Sequence, residues 1–164
     1  MSSSDKLKID WCSYDAARYA VDHWHYSRSL PCSKTARLGV WEHGKFIGII
    51  VFAWGANRHL AGEYKLKMTE CAELCRIALD RHVTPVSRII SIAVKMLKRE
   101  MPGIRLLVSY ADLNQGHEGK PKYKYLLPLD DEMAERIESL SKPYPDAPQA
   151  KTTLRLDSIQ EGAV

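Results

Sequence analysis

Hydrophobic and polar positions repeat along the chain with two periods, and the helical period occurs in three segments. Apolar residues keep helical spacing from Tyr14 to His23, directly after Ser13, whose hydroxyl suits a helix N-cap. The segment VSRIISIAVKMLKRE has a wide apolar stripe opposite basic residues, and Pro85 precedes it at a position that helices tolerate. DDEMAERIESL predicts a short last helix.

The other apolar segments predict strands. RLGVWEHGKFIGIIVFAWG is typical of a β-hairpin with His43-Gly44-Lys45 as its turn and a second strand covered on both faces. TECAELCRIAL and IRLLVSYAD flank the long helix, so the three predict a βαβ unit with parallel strands. KPKYKYLLPLD predicts a last strand, and residues 55–62 a loop. Together these elements predict an α/β fold with a mixed central sheet flanked by helices.

Composition narrows the class of protein only slightly. The 164 residues suffice for one domain with a core, and a net charge of +4 permits an anionic partner without requiring one. Four cysteines without a CxxC pair are typical of reduced core thiols. The N-terminal segment lacks the apolar stretch of a signal peptide, and the longest apolar run is about half of a membrane span. We therefore expect a soluble cytoplasmic protein.

HWHYSRSL, residues 23–30, crowds reactive side chains at the end of the first predicted helix. Pro31 ends any helix before it, so the segment runs into a loop. Two interpretations stay open from the residues alone. The side chains either cap and pack the helix end, or they form half of an active site, because loops on a rigid scaffold collect reactive groups.

RHVTPVSR, residues 81–88, connects a predicted strand to the long helix, where free amides of the first turn favour an anion. Arg81 and Arg88 flank the loop, and Thr84 and Ser87 add hydroxyls. This arrangement suits a pyrophosphate, as in coenzyme A. The segment has no glycine pattern of a dinucleotide or P-loop site, and a plain loop with a capped helix is the alternative.

VSYADLNQGH places further polar residues beyond the C-terminal end of a buried strand, where open α/β sheets bind ligands. Asp112 either accepts a proton or caps the next turn, and His117 is a candidate base or metal ligand. On TECAELCRIAL, Glu73 and Arg76 are three residues apart, so we expect them on opposite faces. In KPKYKY the lysines share one face and the tyrosines the other, which suits either a nucleic-acid surface or a solvated edge strand.

Four segments, in this order, resemble the Mom DNA-modification proteins of bacteriophages: HYSRSLP, LGVWEHGKFIGIIVFAWGAN, TECAELCRIALDRHVTPVSRIISIAVKMLKR and LLVSYADLNQGHEG. The resemblance runs from His25 to about Gly119, and KPKYKYLLPLD matches a later lysine- and tyrosine-rich segment. It implies a single domain similar to the GNAT acyltransferases. It also implies conversion of adenine in phage DNA to N6-(carbamoylmethyl)adenine, which protects the DNA from host restriction enzymes.

The resemblance assigns roles to residues of this chain. The implied catalytic residues are His25, Tyr26, Ser27, Ser109 and Asp112. The candidate cofactor contacts are Arg76, Thr84, Val86, Ser87 and Arg88, for acetyl-CoA or a related acyl donor, although the loop lacks the usual Gly-x-Gly/Ala form. Iron is associated with the family, and the candidate metal ligands are His25, Asp112 and His117, a nitrogen and oxygen set that iron accepts.

We expect one catalytic domain, residues 1–142, followed by a proline-containing C-terminal arm or tail, residues 143–164. The expected partner is DNA with a flipped or single-stranded adenine, in the host cytoplasm and without a membrane, and a homodimer stays open. Two alternatives remain: a GNAT-like N-acetyltransferase for a protein or small amine, and an inactive DNA-binding relative.

Members of the family carry a longer aromatic-rich segment where this chain passes from Gly119 into KPKYKY.

Overall fold

The computed structural model describes residues 6–55, 57–112 and 122–140, without the side chains of residues 111, 112, 122 and 123. Within these residues the elements follow one another as β1 Leu7–Trp11, α1 Tyr14–Trp24, β2 Lys34–Glu42, β3 Lys45–Trp54, α2 Leu60–Glu63, a 3-10 turn Met68–Glu70, β4 Cys71–Leu79, α3 Val86–Glu100, β5 Leu106–Asp112, β6 Lys122–Pro128 and α4 Asp131–Leu140.

The strands form one mixed sheet in the order β1-β2-β3-β4-β5-β6, in which every neighbouring pair is antiparallel except β4 and β5. That pair is parallel, as the βαβ pattern predicts, because α3 carries the chain back along one face. α3 buries its apolar stripe on this face of the sheet. On the opposite face, α1 covers β3 and β4, and α2 and α4 cover β5 and β6. The predicted α/β class is confirmed.

The predicted elements are found close to their predicted bounds. Ser13 caps α1 by accepting the Ala16 N–H at 3.1 Å, and the hairpin turns at His43 and Gly44, both with positive φ. The prediction missed β1, and the stretch expected as a loop at 55–62 leads into the short helix α2. Residues 143–164, the predicted arm, lie outside the described residues. None of the described helices has the length and apolarity needed to span a bilayer.

A β-bulge in β4 changes which of its side chains share a face. The register of β4 against β3 shifts after Val51, which leaves Cys75 as the extra residue. Arg76 pairs with Val51, and Glu73 pairs with Ala53, two residues further along β3. Glu73 and Arg76 therefore lie on the same face of the sheet. The prediction of opposite faces is wrong, because it assumed an unbroken alternation along the strand.

The sheet opens between β4 and β5 towards the C-terminal ends of both strands. Their parallel pairing ends at Leu74 and Ser109, although both strands continue for several residues. On the α3 side, the opening holds a cavity of about 360 Å³. Seven apolar side chains line this cavity together with the hydroxyl-bearing Ser87, Ser109 and Tyr125. The opening is thus a ligand-sized space next to the polar ends of two parallel strands.

Candidate active site

The loop after α1 starts from a rigid support. His25 ends the helix with an extended backbone, at φ −122° and ψ 135°, while its N–H still donates to the Val21 carbonyl. The neighbouring Trp24 ring lies 6.0 Å from the Phe46 ring of β3, centroid to centroid, and anchors this end of α1 to the sheet. The loop that follows Trp24 therefore begins at a well-anchored backbone position, as is usual for loops that carry reactive side chains.

Ser27 fixes the tautomer of His25. The backbone N–H of Ser27 donates to Nδ1 of His25 at 3.1 Å, and the Ser27 hydroxyl oxygen lies 2.8 Å from the same nitrogen. Because an amide N–H can only donate, Nδ1 must be an acceptor. The neutral imidazole therefore carries its proton on Nε2, and its basic lone pair faces the Ser27 hydroxyl.

The surroundings of His25 keep its imidazole neutral. Burial lowers the pKa of His25, because the charged ring would lose solvation, and the nearby Arg76 guanidinium lowers that pKa further. The pKa of His25 therefore lies below about 6.5, the usual value for a histidine side chain. At neutral pH this side chain is a proton acceptor.

Arg76 connects the loop after α1 to the centre of the sheet. Its Nε donates to the Ser29 carbonyl at 2.8 Å, and its Nη1 donates to the Cys75 carbonyl at 2.7 Å. The bulge at Cys75 makes this contact, because it turns Arg76 to the face that α1 covers. Arg76, expected among the cofactor contacts, thus lies near His25 in the loop after α1. The sequence did not predict this position, because it gives no sign of the bulge that turns Arg76 to this face.

Tyr26 presents an open aromatic ring next to this group. Its side chain is 58% exposed, and its ring stacks on the His25 ring with centroids 4.5 Å apart and an interplanar angle of 27°. His23 differs from His25 in its contacts: its Nδ1 lies 2.7 Å from the Tyr19 carbonyl, and its ring stacks on Tyr19. The two histidines of HWHYSRSL therefore differ in their surroundings: His23 packs on its own helix, and His25 contacts residues of the loop that follows.

Ser109 and Ser87 lie on the other side of the sheet. The Ser109 hydroxyl donates to the Leu74 carbonyl at 3.3 Å, and both serines line the cavity of the opening. Tyr125 of β6 lines the cavity as well. The alternation of KPKYKY put the tyrosines on one face of the strand but did not indicate a cavity there. The residues of the expected site thus divide into one group on each face of the sheet.

The loop before α3 is held by a carboxylate that the sequence did not indicate. Glu42, at the end of β2, is 7% exposed and accepts the Val83 N–H at 3.0 Å and the Thr84 N–H at 2.7 Å. Residue Thr84, expected to contact a cofactor, therefore donates its amide to Glu42. Val86 and Arg88, also expected there, belong to the first turn of α3, and Arg88 is exposed. The sequence separation of 41 between Glu42 and Val83 hides this contact from local motifs.

The remaining expected site residues are Asp112 and His117. Asp112 ends β5 opposite Lys122, but its side chain is outside the described residues, as is the whole of His117. Among the residues described, no three His, Cys, Asp or Glu side chains are grouped so as to hold a metal ion. Of the expected ligand set, the structure thus describes the side chain of His25 alone, and its Nδ1 is engaged with Ser27.

Other side chains singled out in the sequence have structural surroundings. Burial raises the pKa of the Cys75 thiol to about 12 and that of the Cys71 thiol to about 11, so both are protonated core groups at neutral pH, as expected. Cys32, in contrast, is exposed.

Lys124 faces α2, where its Nζ lies 2.6 Å from the Glu63 carboxylate and 4.8 Å from the centre of the Tyr64 ring. This lysine is held within the protein surface.

Comparison with known proteins gives one family. The model of the Mom protein family matches residues 6–120, which is more than half of the chain. The match spans β1 to β5 and includes the loop after α1, Arg76, Ser87, Ser109 and Glu42, while Tyr125 lies beyond it. No curated protein matches the chain.

Proposed function

The chain belongs to the Mom protein family, and from this premise we propose that it converts adenine in phage DNA to N6-(carbamoylmethyl)adenine. Membership supports a function in the modification of phage DNA and DNA as the substrate. The transferred group, the base and the residue roles given below are the proposal. The modification would protect the DNA from host restriction enzymes.

The opening between β4 and β5 is the observation that carries the proposal. Arg76 and Ile77 are consecutive residues of β4, yet Arg76 faces the His25 loop while Ile77 lines the cavity on the α3 side. A wall one residue thick therefore separates the two groups, and the sheet is open beside it. In this proposal, a group donor on one face meets an acceptor base from the other face where the β4–β5 pairing has ended. A parallel pair that opens in this way also supports the proposed likeness to GNAT acyltransferases.

We assign the acceptor side to the loop after α1. The exposed Tyr26 ring would stack on adenine, and its phenol would orient the base. As the N6 nitrogen forms its bond to the CH2 carbon of the carbamoylmethyl group and the leaving group departs from that carbon, N6 must lose a proton. The Ser27 hydroxyl can take that proton while it passes its own to Nδ1 of His25. Burial and Arg76 disfavour the resulting imidazolium, so His25 readily returns the proton to solvent.

We assign the donor side to the cavity on the α3 face. Its apolar lining suits the arm of a coenzyme-linked donor, and Ser109 and Ser87 contribute hydroxyls to the lining. Acyl transfer from acetyl-CoA would leave an acetyl group on N6, so the donor of a carbamoylmethyl group must carry a CH2 carbon that bears both the carboxamide and a leaving group. The resemblance implies iron at His25, Asp112 and His117, but in the His25 tautomer described above Nε2 carries the proton and Nδ1 accepts from Ser27, so this tautomer does not fit a metal ligand. If bound, iron would supply Lewis-acid or redox chemistry, and no step described above passes through it.

The DNA substrate must expose an adenine that is stacked in the duplex, so we expect a flipped or single-stranded base. Phosphate contacts from lysine and arginine release counterions, so affinity for DNA should fall as the salt concentration rises. A binding assay over a salt series checks this expectation. An affinity that does not change with salt would favour a small-amine substrate instead.

Mass spectrometry of nucleosides from the DNA of expressing cells tests the proposed function. Carbamoylmethylated deoxyadenosine in cells with the wild-type chain, and its absence in cells with an empty vector, supports the proposal. Unmodified adenine together with newly acetylated amines would indicate an N-acetyltransferase. Unmodified adenine with retention of the protein on DNA would indicate a DNA-binding relative without activity.

A further inference from the structure

We infer that the Glu42 carboxylate occupies the anion position of the loop before α3, so that the donor of this enzyme is one that places no diphosphate there. The part of this inference that concerns the donor rests on the proposed function. The part that concerns the loop rests on Glu42 and its contacts alone. Glu42 thus becomes a residue that determines donor specificity.

The contacts of Glu42 are those that a phosphate oxygen makes in an amide cradle. One carboxylate oxygen accepts the Thr84 N–H at 2.7 Å, and both oxygens lie within 3.2 Å of the Val83 nitrogen. The Thr84 hydroxyl adds a further hydrogen bond. Both amides lie in the loop just before Pro85, the N-cap of α3, so the carboxylate lies in front of the helix N-terminus, where anions commonly bind. Here the chain supplies the anion from the end of β2.

The carboxylate carries its charge at neutral pH. Burial by itself raises the pKa of Glu42, but the Thr84 hydroxyl, the two backbone amides and the nearby His82 lower it, and the net direction is downward. The negative charge therefore stays at the cradle throughout the physiological range. A diphosphate that approached the same amides would meet a fixed like charge and would have to displace it.

The cavity next to this loop fits a donor without a charged head. Of the described residues that line it, seven are apolar and three carry hydroxyls, and none is an Asp, Glu, Lys, Arg or His. A neutral acyl chain or pantetheine-like arm finds suitable contacts there, whereas a nucleotide diphosphate does not. The chemical class we infer is a donor recognised through its reactive end and its arm.

The loop is tested first with inorganic pyrophosphate on the ¹⁵N-labelled full chain, followed by NMR. At millimolar pyrophosphate the Val83 and Thr84 amide signals should not move in the wild type, and they should move in a saturable way in Glu42→Ala. Glu100→Ala is the matched control, because it removes the same charge at the far end of α3, about 20 Å away. It should behave as the wild type.

Glu42→Gln keeps an oxygen acceptor for the loop and removes the charge, so it remains informative if the alanine variant does not fold. It should show a response between those of the wild type and Glu42→Ala. Movement of the Val83 and Thr84 signals in the wild type as large as in the variants would overturn the inference.

The donor is tested by calorimetry with acetyl-CoA and with acetyl-pantetheine, which lacks the nucleotide. The wild type should bind the two within about threefold of each other, and Glu42→Gln should gain at least about fivefold for acetyl-CoA alone. A preference of the wild type for acetyl-CoA of about tenfold or more would overturn the inference. If neither donor binds and the wild-type loop ignores pyrophosphate, the inference about the loop is supported and the proposed donor side fails.

Discussion

Two loops of this chain look alike in sequence and differ in what the fold does with their polar groups. The loop after α1 follows a helix end, and the loop before α3 precedes a helix start. In the first, Arg76 donates to one backbone carbonyl, the Tyr26 ring is exposed to solvent, and His25 stays neutral. In the second, the buried Glu42 takes two backbone amides and a hydroxyl.

The contrast between the two loops gives a criterion for judging whether polar loop residues form a binding or catalytic site. Polar groups that are satisfied inside the protein stabilise the loop, because a buried amide without a partner is costly. Groups that stay open to solvent at a rigid position are available to a substrate. By this criterion we propose the loop after α1 as the reactive one and the loop before α3 as a support.

The largest expected effect is on the first loop. His25→Ala removes the proton acceptor, and Tyr26→Phe removes the phenol at nearly constant shape, so each should lower the modified adenine per genome by about a hundredfold or more. Melting temperatures should stay close to that of the wild type, since neither side chain belongs to the core. Nucleoside mass spectrometry and thermal melting check both.

His23→Ala is the matched control for these variants, because the contacts of the His23 ring are with Tyr19 of the same helix. It should keep its activity. Full activity in His25→Ala, or a loss that simply follows unfolding, would make the loop after α1 structural and remove the contrast between the two loops.

The next effect concerns the stability that Glu42 gives to the second loop. Glu42→Ala removes the acceptor of two part-buried backbone amides, so the free energy of unfolding should fall by about 1–3 kcal/mol. The exposed Glu100→Ala should stay within about 0.5 kcal/mol of the wild type. Denaturant unfolding at neutral pH measures both. A Glu42→Ala variant as stable as Glu100→Ala would show that the carboxylate does not hold the loop.

The same contact predicts a pH dependence. The pKa of Glu42 is lowered in the folded chain, so its charged form stabilises the fold above the unfolded pKa of about 4.3. That contribution is lost as the pH falls through the folded pKa. The stability difference between the wild type and Glu42→Gln should therefore shrink below about pH 4.3, as unfolding curves over an acid series would show. A constant difference would argue against an ionised Glu42.

A smaller effect is expected in the titration of His25. Its midpoint in NMR should lie below about 6.5, and Arg76→Met should move it upward because a repelling charge is lost. The folded chain disfavours the protonated ring, so His25 costs stability as the pH drops below about 6.5. Arg99→Met, at the far end of α3, removes an equal charge and should leave the midpoint unchanged. An unchanged midpoint in Arg76→Met would separate Arg76 from the site.

The smallest effect is expected for Arg88 in the second loop. If no diphosphate binds there, Arg88→Ala should change the calorimetric affinity for acetyl-CoA by less than about twofold. A diphosphate held by Arg88 would instead make the variant weaker by about 1–3 kcal/mol, the range for a charge-assisted hydrogen bond. That result would return the loop to the role that its sequence suggested.

The fold was largely accessible from the sequence because periodicity reports burial. α3 and the hairpin follow from local spacing, and the parallel pair follows from the order of elements. β1 was missed because its five residues follow a polar, featureless start and gain their burial from pairing with β2. The hydrophobic periodicity of a segment carries no information about which strand it will pair with.

The candidate site was accessible only in part, because its decisive contacts join distant segments. Arg76 reaches Ser29 across 47 residues through a bulge that breaks the alternation of β4. Glu42 reaches Thr84 across 42 residues. Local motifs identified the two loops, and tertiary contacts decide which of them keeps its polar groups available.

Cross-linking of a DNA duplex with 8-azidoadenine at the target position tests most directly which loop meets the base. After irradiation and trypsin digestion, adducts should appear on the peptide Tyr19–Arg28, chiefly at Tyr26, and unmodified DNA should compete them away. Peptide mass spectrometry reads the result. Adducts on the peptide His82–Arg88 with none on Tyr19–Arg28 would place the adenine at the other loop and contradict the account.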